Sequence, residues 1–183
     1  AEAAQQAVPR FNPALWQTDE TWRESFRGKV RAHCDAIGAL RDAYPTDQRL
    51  PALLPHRWAG LANILGEAKL ALEEVATAMG SEDEALAAEA RYTNAAIRCF
   101  TADEKGEALF PIEEAQKAVE AFAKQAQSGD PRAADLLFAL SSRAEYASEA
   151  QLSILRQLAK NHAQTRPGAQ AKSTLEQLSL IHI

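Results

Sequence analysis

Apolar side chains recur at steps of three and four along most of this chain, which is the period of an α-helix that buries one face. No stretch of the sequence shows the sustained alternation of a β-strand. Because such helices bury their stripes against one another, we predict an all-α fold of about seven to nine antiparallel helices. The expected core residues are Trp22, Phe26, Ile37, Leu61, Leu72, Val75, Phe122, Leu136, Leu137, Leu155 and Leu158.

The ends of these stripes carry the residue types of helix caps and turns. Residues 21–24 and 81–84 each begin with Thr or Ser and have Glu three positions later, which predicts two capping boxes. Pro45 is expected to end the first long helix, and Gly66 is expected to form the turn of a helical hairpin. These signals predict short connections between neighbouring helices.

The C-terminal half of the chain repeats itself with an offset of 36 residues. This offset aligns residues 122–124 with residues 158–160, and Pro131 with Pro167. A period of this length is typical of helix-turn-helix repeats, in which each hairpin buries its apolar face against the next. We therefore predict degenerate tetratricopeptide-like helical hairpins that stack into a curved array.

The pattern divides the chain into three segments. Residues 1–18 contain two prolines and no sustained period, so we expect a poorly ordered entry segment. Residues 19–177 form the predicted helical repeat domain, and residues 178–183 form a separate tail. The only methionine is Met79, so we expect the natural start to lie upstream of this sequence.

The tail has the sequence LSLIHI, which we expect not to belong to the natural protein. With one permitted codon for each residue it back-translates to CTGTCTCTTATACACATC, the transposase end used in shotgun sequencing libraries. Segments of this origin are excluded from fold reasoning. We therefore expect the natural reading frame to continue beyond Gln177, whereas the alternative is a short apolar terminal strand.

Charge and hydropathy exclude two classes of partner for these residues. The 20 Lys and Arg are spread among 25 Asp and Glu, whereas nucleic-acid binding uses clustered basic residues. No apolar run approaches the length of about 18 residues that crosses a bilayer. We therefore expect neither nucleic acid nor membrane contact within the fragment, and the expected partner is a protein or peptide.

The reactive residue types lack the spacing of a catalytic or metal site. Cys34 and Cys99 form no C-x-x-C pair and are expected to be buried thiols. His33 and Asp35 flank Cys34, but consecutive helical residues point about 100° apart and cannot pair as nucleophile and base. The acidic residues 82–84 are explained by a helix start. We predict no catalytic residue, cofactor or metal, and hence no enzyme activity, in this fragment.

Arg57 and Trp58 have the composition of a binding surface, because Trp and Arg are enriched at the energetic centres of protein interfaces. Trp58 also lies on the apolar stripe of its own helix, which favours core packing. A surface role for Arg57 stays open. These two residues are the candidate partner-binding surface.

Three segments of the chain resemble a known family. They are YPTDQRLPALLPHRW at 44–58, RCFTADEKGEALFPIEEA at 98–115 and LAKNHAQTRPGAQAKSTLEQ at 158–177. Together they are similar to the helical, tetratricopeptide-like region that precedes the thioredoxin-like domain in some bacterial redoxin proteins of the TlpA type. The resemblance covers about residues 20–177.

This resemblance implies a scaffold or interaction region that positions a thioredoxin-fold thiol-disulfide oxidoreductase domain, here missing from the C-terminal side. It also implies an extracytoplasmic, periplasmic or membrane-tethered location. No catalytic residue is carried over, because Cys34 and Cys99 do not match the family's C-x-x-C. The alternative is a free-standing tetratricopeptide-like adaptor that binds a peptide or protein. An all-α domain with its own enzymatic activity is a third possibility, for which the sequence offers no converging reactive groups.

Overall fold

The computed structural model describes residues 10–103, 105–125 and 130–181. Over these ranges the chain forms nine α-helices and one π-helical turn and contains no strand, so the predicted all-α fold is confirmed. The elements are α1 (Pro13–Thr18), α2 (Glu20–Ala43), α3 (Leu50–Ala59), the π-turn (Gly60–Ile64), α4 (Ala68–Ala78), α5 (Glu84–Phe100), α6 (Ile112–Gln125), α7 (Pro131–Arg143), α8 (Glu149–Asn161) and α9 (Arg166–Ile181).

The chain divides into two compact units, residues 1–97 and residues 98–183. In the first unit α2 packs against α1, α3 and the π-turn, and α4 packs against α3 and the π-turn. In the second unit α6 packs on α7, α7 on α8 and α8 on α9, and α9 also contacts α7. The sequence placed residues 19–177 in one helical domain, whereas the contacts divide this range after Ile97.

The predicted core agrees with the structure at all but two positions. The buried members are Phe26, Ile37, Leu61, Val75, Phe122, Leu136, Leu137, Leu155 and Leu158. Trp22 and Leu72 are half-buried instead. Trp22 lies in the first turn of α2, and its ring stacks on Phe26 with the centroids 5.0 Å apart.

Aspartate caps the two helices for which capping boxes were predicted. The predicted box at residues 21–24 is wrong, because α2 already begins at Glu20 and Asp19 Oδ1 accepts the Trp22 N–H at 2.8 Å. The predicted box at residues 81–84 is wrong as well, because α5 begins at Glu84 and Asp83 Oδ1 accepts the N–H groups of Ala85 and Leu86. An ionised carboxylate is a stronger acceptor than a hydroxyl and also favours the positive end of the helix dipole.

The predicted entry segment contains a helix. Asn12 Oδ1 accepts the N–H groups of Ala14 and Leu15, and Pro13 occupies the first position of α1. Trp16 anchors this helix, because its ring lies 6.0 Å from that of Phe26 on α2. Residues 1–9 of the predicted segment lie outside the described residues.

The predicted tail begins inside α9, which extends to Ile181, and Leu178 is 5% exposed. Residues 182 and 183 lie outside the described residues. Over the described ranges of the chain, no helix combines the length and the apolar character that a membrane span requires. The helical hairpin predicted at Gly66 is present, since this residue has φ +74° and separates the π-turn from α4.

Candidate binding pocket

A pocket of about 580 Å³ opens in the first unit, between α3, α4, the C-terminal end of α2 and the start of α5. One wall comes from α3, where Leu50, Leu54 and Trp58 follow one another at steps of four residues. This spacing places the three side chains along one face of the helix, over a length of about 12 Å. The wall is apolar because it continues the buried stripe of α3 to the edge of the core.

The opposite wall comes from α4 and mixes apolar and charged groups. Leu70, Glu73 and Thr77 stand three and four positions apart, so they share one face of the helix. Leu70 is 40% exposed, which is high for a leucine on the wall of a pocket. Leu86 of α5 adds a further apolar group. The volume lies in the range of about 300–1,000 Å³ that is common for ligand pockets.

Behind the pocket, Arg57 of α3 and Glu74 of α4 form a buried ion pair. Arg57 Nη2 lies 2.7 Å from Glu74 Oε1, and Arg57 Nε donates to Glu74 Oε2 at 2.9 Å. The two side chains are 10% and 12% exposed. Arg57 Nη1 also donates to the Cys34 carbonyl of α2 at 2.5 Å, and Arg41 Nη1 lies 3.2 Å from Glu74 Oε2. The cluster therefore links α2, α3 and α4 behind the pocket.

The charges of this cluster shift the pKa values of Glu74 and Arg57 so that the ionised form of each is favoured. Burial by itself raises the pKa of Glu74, but the hydrogen bonds and charges of Arg57 and Arg41 outweigh it and lower the pKa below its ordinary value. The hydrogen bonds to Glu74 raise the pKa of Arg57 more than burial lowers it. Both groups are therefore ionised at neutral pH.

Two glycines allow close packing in this part of the first unit, one against the guanidinium of Arg57 and one against the thiol of Cys34. A Cβ at Gly38 would lie 2.9 Å from Arg57 Nη1, and a Cβ at Gly60 would lie 2.8 Å from Cys34 Sγ. Real Cβ atoms almost never come this close to another heavy atom. Gly38 therefore leaves room for the guanidinium of Arg57, and Gly60 allows the π-turn to pack closely against α2.

Neither residue of the predicted partner-binding surface is exposed. Trp58 is 1% exposed and Arg57 is 8% exposed, so Arg57 lies inside the protein and is held by Glu74. The core packing favoured for Trp58 agrees with the structure, and its side chain also borders the pocket. Its Nε1 atom is buried and has no hydrogen-bond partner among the described residues.

Sequence reasoning did not identify the pocket residues of α4. From the sequence, no role is predicted for Leu70, Glu73 or Glu74. The available signal was the spacing of Leu70, Glu73 and Thr77 on one helical face. That spacing alone does not reveal that Arg57, 17 positions before Glu74, neutralises one of the two carboxylates.

Both cysteines are buried free thiols, as predicted. Burial raises the pKa of Cys34 and raises that of Cys99 to about 12, so both remain protonated at neutral pH. Over the ranges described by the structure, no group of three or more His, Cys, Asp or Glu side chains is arranged to hold a metal ion. Comparison of the chain with protein-family models, with curated proteins and with solved structures gives no match.

Proposed function

We propose that this chain is a non-catalytic, helical protein-interaction region. The pocket between α3 and α4 carries the proposal, because it combines an apolar wall with a half-exposed leucine and with charged groups at its edge. Protein-binding sites commonly combine an apolar centre with a polar rim. The protonated, buried thiols support a non-catalytic role, since thiolates are the reactive form of cysteine.

We further propose that the helices of this region form degenerate tetratricopeptide-like hairpins. The order of packing in the second unit supports it, because each helix from α6 to α9 packs on the next one along the chain. The starts of α6 and α8 are 37 residues apart, at Ile112 and Glu149, and those of α7 and α9 are 35 apart, at Pro131 and Arg166. Both offsets are close to the 36-residue period of the sequence.

In the leading form of the proposal, the region positions a thioredoxin-fold oxidoreductase domain encoded beyond Gln177. The resemblance of residues 44–58, 98–115 and 158–177 to the redoxin family supports this form. Sequencing the same gene from intact DNA tests it. We expect a short linker followed by an α/β domain with a C-x-x-C. A continuation into further 36-residue helical repeats contradicts this expectation.

The second form is a free-standing adaptor that binds a peptide or protein, and the pocket itself favours it because it needs no attached domain. A natural stop codon soon after Gln177 would support this form over the first.

The interaction function is tested by panning a random heptapeptide library against the purified chain. Enriched peptides should bind Leu70→Ser at least fivefold more weakly.

The matched control is Leu109→Ser, because Leu109 is similarly exposed, at 46%, but does not line the pocket. Enriched peptides should bind this control as they bind the unaltered chain. A library that yields no enriched peptide, or peptides that are indifferent to Leu70, contradicts the proposal.

A further inference from the structure

The pocket carries one negative charge that its own fold does not neutralise. Arg41 forms ion pairs with two carboxylates: its Nη1 lies 3.2 Å from Glu74 Oε2 and its Nη2 lies 2.9 Å from Asp42 Oδ1. Glu74 is in turn committed to Arg57 and Arg41. The remaining carboxylate at the pocket is that of Glu73, which is exposed and has no cationic partner in the described part of the chain.

This charge lies beside exposed apolar surface. Glu73 follows Leu70 by three positions on α4, which places their Cβ atoms about 5–6 Å apart on one face of the helix. Leu86 of α5 is half-buried and adds accessible apolar surface, whereas Leu54 and Trp58 of α3 form the inner wall and are 2% and 1% exposed. A ligand that covers Leu70 therefore meets exposed apolar surface, with the carboxylate of Glu73 within one helical turn.

We propose that this pocket binds a peptide segment of a partner protein that presents a large apolar side chain next to a basic one. The apolar side chain enters between α3 and α4, and the basic group pairs with Glu73. An acidic group in the same place would face Glu73 without compensation, so the pocket discriminates by charge as well as by shape. This inference rests on the proposed interaction function and adds the chemistry of the partner.

Three terminally blocked tripeptides isolate the contribution of charge. They are acetyl-Phe-Leu-Lys-amide, its neutral counterpart with norleucine in place of lysine, and its acidic counterpart with glutamate. The chain has three tryptophans, so substituting Trp16 and Trp22 by phenylalanine leaves Trp58, on the pocket wall, as the fluorescence reporter. Isothermal titration calorimetry on the unaltered chain checks that the reporter substitutions have not changed the affinity.

We expect the lysine peptide to bind about two- to fivefold more tightly than the norleucine peptide, which corresponds to an exposed ion pair of up to about 1 kcal/mol. The acidic peptide should bind more weakly than both. Raising the salt concentration should reduce the difference. Glu73→Gln should remove the difference in affinity between the lysine and the norleucine peptides. Glu24→Gln is the matched control. Glu24 is exposed and lies near the N-terminal end of α2, about 25 Å along the helix from Arg41, which borders the pocket.

The possible failures are distinguishable. If the three peptides bind equally and all lose affinity in Leu70→Ser, the charge preference is refuted and the interaction function stands. If none of them binds at millimolar concentration while peptides from the random library do so through Leu70, the proposed chemistry of the partner is refuted. If no peptide of either kind depends on Leu70, both proposals fail.

Discussion

Replacing Gly38 by alanine tests whether the buried Arg57–Glu74 pair limits how closely α2 and α3 can pack. A Cβ at Gly38 would lie 2.9 Å from Arg57 Nη1 and 3.1 Å from its Cζ. Gly28 lies in the same helix, and a Cβ there meets no other heavy atom within 4 Å. Gly28→Ala is therefore a matched control with the same chemical change and the same helical context.

The two substitutions should shift stability in opposite directions. Alanine is better than glycine in a helix interior by about 0.8–1 kcal/mol, and Gly28→Ala should show most of this gain. At Gly38 the guanidinium of Arg57 must move away from the Cys34 carbonyl or from Glu74. Hydrogen bonds to charged groups contribute about 1.5–3 kcal/mol each, so the loss of one outweighs the gain and leaves a net loss of about 0.5–2 kcal/mol.

Urea unfolding followed by circular dichroism at helical wavelengths measures both free energies of unfolding. Both variants share the gain in helix propensity, so their free energies of unfolding should differ by the lost hydrogen bond, about 1.5–3 kcal/mol. If Gly38→Ala stabilises the protein as much as Gly28→Ala does, the ion pair adapts without cost. The assignment of Gly38 to the space of Arg57 would then be refuted.

Three further predictions concern the core, the ion pair and the thiols. Phe122→Ala should lower the free energy of unfolding by about 3–5 kcal/mol because the ring is buried; a loss below about 0.5 kcal/mol, typical of surface changes, would contradict this. Glu74→Gln should cost about 3–5 kcal/mol at pH 7, since it leaves the charge of Arg57 buried without its counter-ion. Because the pKa of Glu74 is lowered from 4.5, the cost should be full above pH 4.5 and disappear as the pH falls through the lowered pKa, which urea titrations across pH can follow. Cys34 and Cys99 should react slowly with a maleimide in the native state and rapidly in urea, and rapid native labelling of either would show that it is accessible.

The period of the apolar residues predicts most of the helices and most of the core in advance. Val75, Leu137 and Leu158 each lie on an apolar stripe with three- and four-residue spacing. The face of the helix that carries such a stripe is the one that packs against the core. Helix ends are predicted less well, because Thr21 and Asp19 both offer an acceptor and the sequence does not say which one the chain uses. These features depend on neighbours within one turn of helix, which is why local sequence is informative about them.

The pocket and its ion pair depend on which helices meet, and no local pattern encodes this. Arg57 lies about 100° around the helix from Trp58 and was therefore an open candidate for the surface. It is buried because Glu74, on a different helix, supplies the opposite charge and the Cys34 carbonyl accepts a further hydrogen bond. Gly38 leaves the room for its guanidinium. The sequence alone determines the helices and their apolar faces, whereas only tertiary packing decides which charge is neutralised in the interior and which, like that of Glu73, is left at the edge of the pocket.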